Sequence, residues 1–349
     1  MPAEVALSDD VRTTAASETC HDPDLQQFGD PSTLDVMRWI HHLSPAKVVR
    51  INADERYRVA LTFADDDFFV QVNDDAFRLA DVSSAWLRKG GFWFKGLFPA
   101  VTAEGRPALT RHLSQMLERE NRTLRDHFHY VLRKRCAVLG SAHGSTPNKL
   151  VVLEHARELG LRTPSFSVSN QRSHAEGLVA SGGGYVTKAM SDGLYLFDAT
   201  ESKTGYFTYT EALGPQSLDG VGASMAPSFF QRYVDKAFEL RIFFLDDQFR
   251  AGAIFSQNDE QTRVDYRKYN DVRPNRVIPF RLPKAIEDKL SRLARALDLN
   301  TGSFDMIVDS QGEYYLLEVN PVGQFGPLSE KCNMGIERMI AERLVAREH

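Results

Sequence analysis

SFDMIVDSQGEYYLLEVNPVGQFG, residues Ser303 to Gly326, reads as two short strands joined by a polar turn. The strands are Phe304–Val308 and Tyr314–Val319, and Asp309-Ser310-Gln311-Gly312 turns between them. Residues two apart on a pleated strand share a face, so Glu318 and Asn320 project together, and pairing across the hairpin brings Asp305 beside them. Two carboxylates and an amide oxygen converging at strand ends make a hard-oxygen site suited to Mg²⁺, a cation that keeps several waters and also takes phosphate oxygens. The plain alternative is a hairpin whose acids face solvent. Against it, Glu318 sits within the apolar run Leu316-Leu317-Glu318-Val319, where an unpaired acid is disfavoured. Asp305, Glu318 and Asn320 are the candidate metal ligands.

Working outward, Pro283–Leu297 is an amphipathic helix before the hairpin, with Ile286, Leu290, Leu293 and Leu297 on one face. Ile336–Val345 is a closing helix after it, with Met339, Ile340 and Leu344 inward. Upstream, Glu239–Leu245 and Gln248–Phe255 are strands separated by Asp246-Asp247, and Ser228–Val234 is a β-type run followed by an Asp235-Lys236 turn. The polar segment Ser256–Arg267 reads equally well as a solvated loop or as part of a site. Further back, Asn148 caps a helix Lys149–Leu159 that stops at Gly160, a left-handed terminator. Phe166–Ser169 is a strand, Ser173–Val179 a helix, and Tyr185-Val186-Thr187-Lys188 a strand ending on a lysine. Ser181-Gly182-Gly183-Gly184 is a turn feeding that strand, because no G-x4-G-K-[ST] pattern accompanies it.

The first part of the chain reads as an α/β lobe. A helix begins within Asp30-Pro31-Ser32-Thr33, capped by Ser32 or Thr33, with Leu34, Met37, Trp39, Ile40 and Leu43 as its apolar face. Strands follow at Lys47–Ile51, Tyr57–Phe63, Asp67–Val72 and Val82–Leu87, then a long helix over Leu109–Arg135. Residues 1–28 are polar and aperiodic and read as a poorly ordered tail. The boundaries expected are therefore 29–140 for an N-terminal α/β domain, 141–224 for a central subdomain and 225–349 for a C-terminal subdomain.

At 349 residues and 42% hydrophobic composition the chain can bury a large core. Its net charge of -5, from 42 basic and 47 acidic residues, gives no global reason to expect nucleic acid. Three cysteines without metal spacing point to a reducing compartment. No apolar run approaches the roughly 18–20 residues needed to cross a bilayer, and the N-terminus has no basic-then-apolar signal pattern. The expectation is a cytoplasmic protein with no membrane partner.

Several stretches carry a family resemblance: NKLVVLEHARELGLRTPS from Asn148, YVTKAM from Tyr185, PSFFQRYVDKAFELRIFFL from Pro227, IFSQNDEQTRVDYRKYND from Ile254, PNRVIPFRLP from Pro274, LNTGSFD from Leu299 and LLEVNPVGQFG from Leu316. They resemble the ATP-grasp ligases, and most closely the grasp-with-spasm branch of the microviridin-type (graspetide) peptide maturases. The resemblance covers roughly residues 30–345 and departs at the start, where no clean apolar strand precedes Ser32 and an extra tail is present.

The resemblance implies an α/β (α+β) chain with the ATP-grasp fold: an N-terminal α/β lobe, a central subdomain and a C-terminal ATP-grasp lobe. It also implies ATP and Mg²⁺ as cofactors. Lys149 and Lys188 would hold the α- and β-phosphates, and the main chain around Tyr233 and Val234 would meet the adenine edge. Gln231 would reach the exocyclic amine, Glu239 would hold the ribose hydroxyls, and Arg241 would stabilise the transferring phosphoryl group. Arg267 is a further candidate, orienting the peptide carboxylate. The implied reaction phosphorylates an Asp or Glu side chain of a ribosomal precursor peptide (leader plus core), and a Thr, Ser or Lys side chain of the same peptide then closes an ω-ester or ω-amide ring. The implied assembly is a homodimer. Two other readings stay open at this point: a ligase joining an external amine or amino acid to its substrate, and a non-catalytic ATP sensor.

Overall fold

A computed structural model describes residues 4–9, 31–52, 59–64, 67–72, 75–88, 103–141, 147–191, 193, 195–197, 205–257, 264–265 and 274–346. The chain divides into two compact units: Met1–Ser145 with Gln324–Glu330 and Met334–His349, and Thr146–Gly323 with Lys331–Asn333.

The first unit contains β1 (Glu4–Asp9), α1 (Pro31–Leu43), β2 (Lys47–Asn52), β3 (Val59–Ala64), β4 (Asp67–Val72), β5 (Asp75–Arg78), β6 (Val82–Leu87), α2 (Pro107–Arg135) and β7 (Ala137–Leu139). A parallel sheet runs in the order β2-β1-β6-β7, and β3-β4-β5 form an antiparallel meander. The tail expected over residues 1–28 is thus corrected at Glu4–Asp9, which forms an inner strand, with Glu4 opposite Lys47 and Val5 opposite Ser84. Of that tail nothing else is described. Strand β1 has no local turn signal and no long apolar run. Its place is set by neighbours more than 35 residues away in sequence.

Ser32 and Thr33 do not stand before α1 as caps. Pro31 is the first helical residue, a position where its missing N–H costs nothing, and both hydroxyl residues are buried inside the first turn. The apolar face is also rotated from the one expected. Val36 and Ile40 are fully buried, whereas Leu34 and Leu43 are exposed.

The second unit contains α3 (Lys149–Glu158), β8 (Phe166–Gln171), α4 (Arg172–Ala180), β9 (Tyr185–Lys188), β10 (Tyr195–Phe197), β11 (Gly205–Phe207), β12 (Glu211–Ala212), β13 (Ser224–Arg232), β14 (Lys236–Leu245), β15 (Gln248–Phe255), β16 (Arg276–Phe280), α5 (Lys284–Ala296), β17 (Thr301–Asp309) and β18 (Tyr314–Asn320). The Asn148 side chain accepts from the N–H groups of Leu150 and Val151, and Gly160 stands at φ +75°, so both expected ends of α3 are present. One sheet runs β12-β9-β13-β8 and a larger one β16-β15-β14-β17-β18, each antiparallel. Leu240, Ile242 and Phe244 of β14, with Phe304, Met306 and Val308 of β17, pack on α3 and α5 through Val152, Ala156, Leu290 and Leu293. That burial commits one face of the large sheet to the core and leaves the alternate residues on the other face.

Helix α6 (Gly326–Cys332) and helix α7 (Ile336–Val345) close the chain. Helix α7 packs on α1, the Arg338 guanidinium lies 5.6 Å from the Trp39 ring centroid, and the Ser84 hydroxyl donates to the Leu344 carbonyl at 2.7 Å. The segment assigned from sequence to a single C-terminal subdomain over 225–349 is therefore divided, its last helix belonging to the first unit. The inward residues of α7 are Ile336, Ile340, Ala341 and Leu344, with Met339 only half-buried. Among the described residues no helix is long and apolar enough to cross a membrane.

Candidate active site

Strand register lines up the acids and cations on the open face of the large sheet. Arg241 on β14 stands opposite Asp305 on β17, and Asp305 opposite Glu318 on β18. The next row is Phe243, Ser303 and Asn320. The hairpin turn is the one expected: the Asp309 carboxylate accepts from the N–H groups of Gln311 and Glu313, each at 2.9 Å, and Gly312 stands at φ +82°.

One feature of β18 escapes simple alternation. Leu316 pairs with Met306 but Glu318 pairs with Asp305, so Leu317 is an extra residue, a β-bulge. Leu316 and Val319 both enter the core, three residues apart, while Glu318 and Asn320 lie on the opposite face. Strict period-two alternation from Leu316 would turn Glu318 into the core. The bulge turns it out.

A cavity of about 310 Å³ within the second unit collects most of the residues singled out from sequence. Lys149, Lys188, Gln231, Tyr233, Val234, Glu239, Asp305, Glu318 and Asn320 all line it. Arg241 is not on its lining and reaches it through Asp305, whose two oxygens accept from Arg241 Nη1 at 2.7 and 2.6 Å. Arg267 lies outside the described residues.

The charges are paired. Lys149, buried, donates from Nζ to the Ala189 carbonyl at 2.8 Å and sits 3.1 Å from Glu318 Oε2. Each candidate metal carboxylate thus carries a candidate phosphate-binding cation. Lys188 extends from β9 with its ammonium 6.0 Å from the centroid of Phe229, its neighbour on β13. Among the described residues no group of three or more His, Cys, Asp or Glu is arranged to hold a metal ion. Asp305, Glu318 and Asn320 form a smaller set, two carboxylates and an amide, of the kind that Mg²⁺ completes with water and phosphate oxygens. Asn320 Oδ1 already accepts from the Val322 N–H at 2.9 Å, which fixes the amide and leaves one lone pair on that oxygen.

The base end of the cavity fits an aromatic ligand with hydrogen-bonding edges. Gln231 is only 2% exposed, and its Nε2 has no hydrogen-bond partner among the described residues. A buried orphan donor costs about 1–3 kcal/mol; Nε2 is enclosed, so a ligand acceptor would meet it only once the side chain turns toward the cavity it lines. Turned so, the amide would offer N–H to a ring nitrogen. Rotated by half a turn it offers its oxygen to an exocyclic amine. The Tyr233 N–H is already given to the Gly184 carbonyl at 3.0 Å. That leaves Val234, whose main chain bonds to no described residue, as the open main-chain edge of the pair.

Among the cavity-wall residues that sequence reasoning missed are Lys236 and Asp265. Lys236 was expected in a turn, yet it opens β14, is 5% exposed, and donates from Nζ to Glu239 Oε1 at 2.6 Å. Asp265 belongs to the polar segment that read equally well as a solvated loop, yet it is buried and accepts from the Thr210 N–H at 3.0 Å. Glu239 itself is pushed up from the ordinary carboxylate range by burial, with the Asp305 charge adding to the push, while the Lys236 ammonium and the Ser256 hydroxyl draw it back. The one sequence signal for Lys236 was its spacing of three from Glu239.

After Asn320 the chain turns sharply against the sheet. A Cβ at Gly323 would overlap the Ser303 hydroxyl and come within 3.3 Å of Arg241 Nη2. Only glycine lets the turn lie so close to Ser303, whose hydroxyl is enclosed without a partner among the described residues.

No protein-family model matches the chain. A pyruvate carboxylase from Pichia angusta is 26% identical over 94 residues, which is 27% of this chain and 8% of the carboxylase. Among solved structures, the macrocyclase MdnC of Microcystis aeruginosa MRC, bound with precursor peptide MdnA, superposes with a TM-score of 0.72 at 24% identity over 98% of this chain and 99% of MdnC. A RiPP-associated ATP-grasp ligase of Chryseobacterium gregarium, in complex with ADP and a leader and core peptide, gives 0.73 at 22% identity, covering 98% and 96%. The ATP-grasp ligase PsnB, complexed with minimal precursor, Mg and ADP, gives 0.66 at 17% identity, covering 98% and 96%. The chain has the ATP-grasp fold.

Proposed function

We propose that the chain is an ATP-dependent carboxylate ligase that activates Asp or Glu side chains of a ribosomal precursor peptide and closes ω-ester or ω-amide rings within it. The observation that carries this reading is one cavity lined, within a single unit, by Gln231, the open main-chain edge at Val234, the buried Glu239, Lys149, Lys188 and the Asp305–Glu318–Asn320 set. Bound at that set, Mg²⁺ would supply charge neutralisation for phosphoryl transfer. Lys149 and Lys188 hold phosphate oxygens, and Val234 and Gln231 orient the base. Arg241 bears on the charge that develops as the phosphoryl group leaves ATP for the peptide carboxylate. The acyl phosphate so formed is attacked by a hydroxyl or amine of the same peptide. Phosphate departs with the carboxyl oxygen, and the nucleophile's proton passes to solvent or phosphate. The chain's own residues position and neutralise, so none need act as a nucleophile. The peptide partner finds its support in MdnC and the Chryseobacterium ligase, both described with bound peptides. The homodimer rests on the family resemblance.

The test is intact-mass spectrometry of a candidate precursor peptide, taken from any short reading frame beside the coding gene, incubated with the protein, ATP and Mg²⁺. Loss of one or more waters, dependent on ATP, is the expected result. A gain equal to an added amino acid would favour a ligase acting on an external amine, and an unchanged mass with ATP bound would favour a sensor.

Lys188→Ala should weaken ATP binding by about tenfold or more, the usual scale of a lost charge-assisted hydrogen bond. Calorimetric titration checks it, with circular dichroism to show the fold is kept. Unchanged affinity would return Lys188 to the role of an ordinary lysine at a strand end.

A further inference from the structure

Glu239 is a buried carboxylate whose two oxygens are treated unequally. Lys236 Nζ and Ser256 Oγ both donate to Oε1, at 2.6 and 2.8 Å. No described residue donates to Oε2, and that atom is not among the enclosed polar atoms, so it faces the cavity that Glu239 lines. Two donors on one oxygen fix the rotation of a carboxylate. The second oxygen is then presented in one direction, with its lone pairs unused.

The clamp is itself held firmly. Lys236 is 5% exposed and Ser256 is fully buried. The Lys236 ammonium also donates to the Val264 carbonyl at 3.3 Å, so it cannot swing away without losing a second partner. The charged groups acting on Glu239 are Lys236 on its own strand and the like-charged Asp305 on β17, and Asp265 lines the same cavity. A carboxylate accepts two hydrogen bonds from a vicinal diol only while it is ionised. Once protonated it becomes a donor. The ammonium beside Oε1 is what opposes protonation in that wall.

We propose that Lys236 and Ser256 are positioning residues that orient Glu239 so that Oε2 accepts from the paired ribose hydroxyls of the nucleotide, and that they thereby set the preference for a ribonucleotide over one lacking those hydroxyls. The inference rests on the nucleotide reading of this cavity. It extends that reading to two residues that touch Glu239 rather than the ligand. The alternative is a buried ion pair whose only role is structural, which would support every nucleotide equally.

The experiment compares equilibrium affinities of ATP and 2′,3′-dideoxy-ATP, both with Mg²⁺, for the full-length wild type, Lys236→Met and Ser256→Ala. The wild type should prefer ATP by about tenfold or more, the scale of hydrogen bonds to a charged acceptor. Lys236→Met should lose most of that preference by weakening ATP while leaving dideoxy-ATP unchanged. Ser256→Ala should move the same way by less, and it carries the test if Lys236→Met does not fold. Equal weakening of both nucleotides, or a wild-type ratio retained in the folded variants, would overturn the inference while leaving the nucleotide reading intact. So would a wild type that binds both nucleotides equally. A wild type that binds neither would overturn the nucleotide reading and this inference with it.

Discussion

Glu318→Gln should leave the protein folded and reduce ATP-dependent condensation of the precursor by about 10³-fold or more, the loss expected when several kcal/mol of metal-mediated charge stabilisation is removed. The substitution keeps the shape of the side chain and an oxygen that Lys149 can still approach. Lys149 also keeps its bond to the Ala189 carbonyl, so the buried ammonium is not stranded. What disappears is one negative charge at the β18 end of the row Arg241, Asp305, Glu318. A time course of intact mass, set beside thermal unfolding of both proteins, separates lost chemistry from lost fold. Full activity in this variant would remove Glu318 from the metal set and leave the cavity with one carboxylate too few.

Arg241→Met should act on turnover rather than on nucleotide affinity. One guanidinium nitrogen bonds both oxygens of Asp305, so the group is pre-aimed before any substrate arrives. Loss of such a pre-organised donor costs about 10²–10³ in kcat. Arg241→Lys should recover little, because a single ammonium does not reproduce the planar fork. Steady-state kinetics with varied ATP distinguishes the two roles: kcat falls with KM for ATP nearly constant if Arg241 serves the transferring group. A raised KM at unchanged kcat would make it a ground-state phosphate contact.

Much of this site could be read from the sequence because its determinants are local. The Asp309–Gly312 turn, the Asn148 cap, the Gly160 stop and the alternation of β14 are each written within a few residues, and together they bring Lys149, Asp305 and Glu318 to their places. What could not be read is what depends on partners distant in sequence. Strand β1 is short and mixed in character and is a strand because β2 and β6 flank it. Asp235-Lys236 carries the composition of a turn, but Lys236 is drawn into β14 and buried by Glu239 and Val264. The bulge at Leu317 leaves no mark in hydropathy, since Leu316 and Leu317 are the same residue type. It shows only in the register with β17. Fold class follows from pattern, and the outline of the nucleotide end from motif. The clamp on Glu239 follows from neither.

The discontinuity of the first unit bears on how the polypeptide matures during synthesis. A ribosome delivers residues 146–323 in full before it makes Ile336–Val345, the helix against which α1 packs and whose last turn bonds to Ser84 of β6. The second unit has all five strands of its large sheet in hand while the first still lacks a wall. In that interval the surfaces later covered by α7 lie open, the kind of exposure that draws chaperones and promotes aggregation. A nonsense mutation near the end of the coding sequence would accordingly harm the half of the molecule made first, and spare the half that holds the cavity.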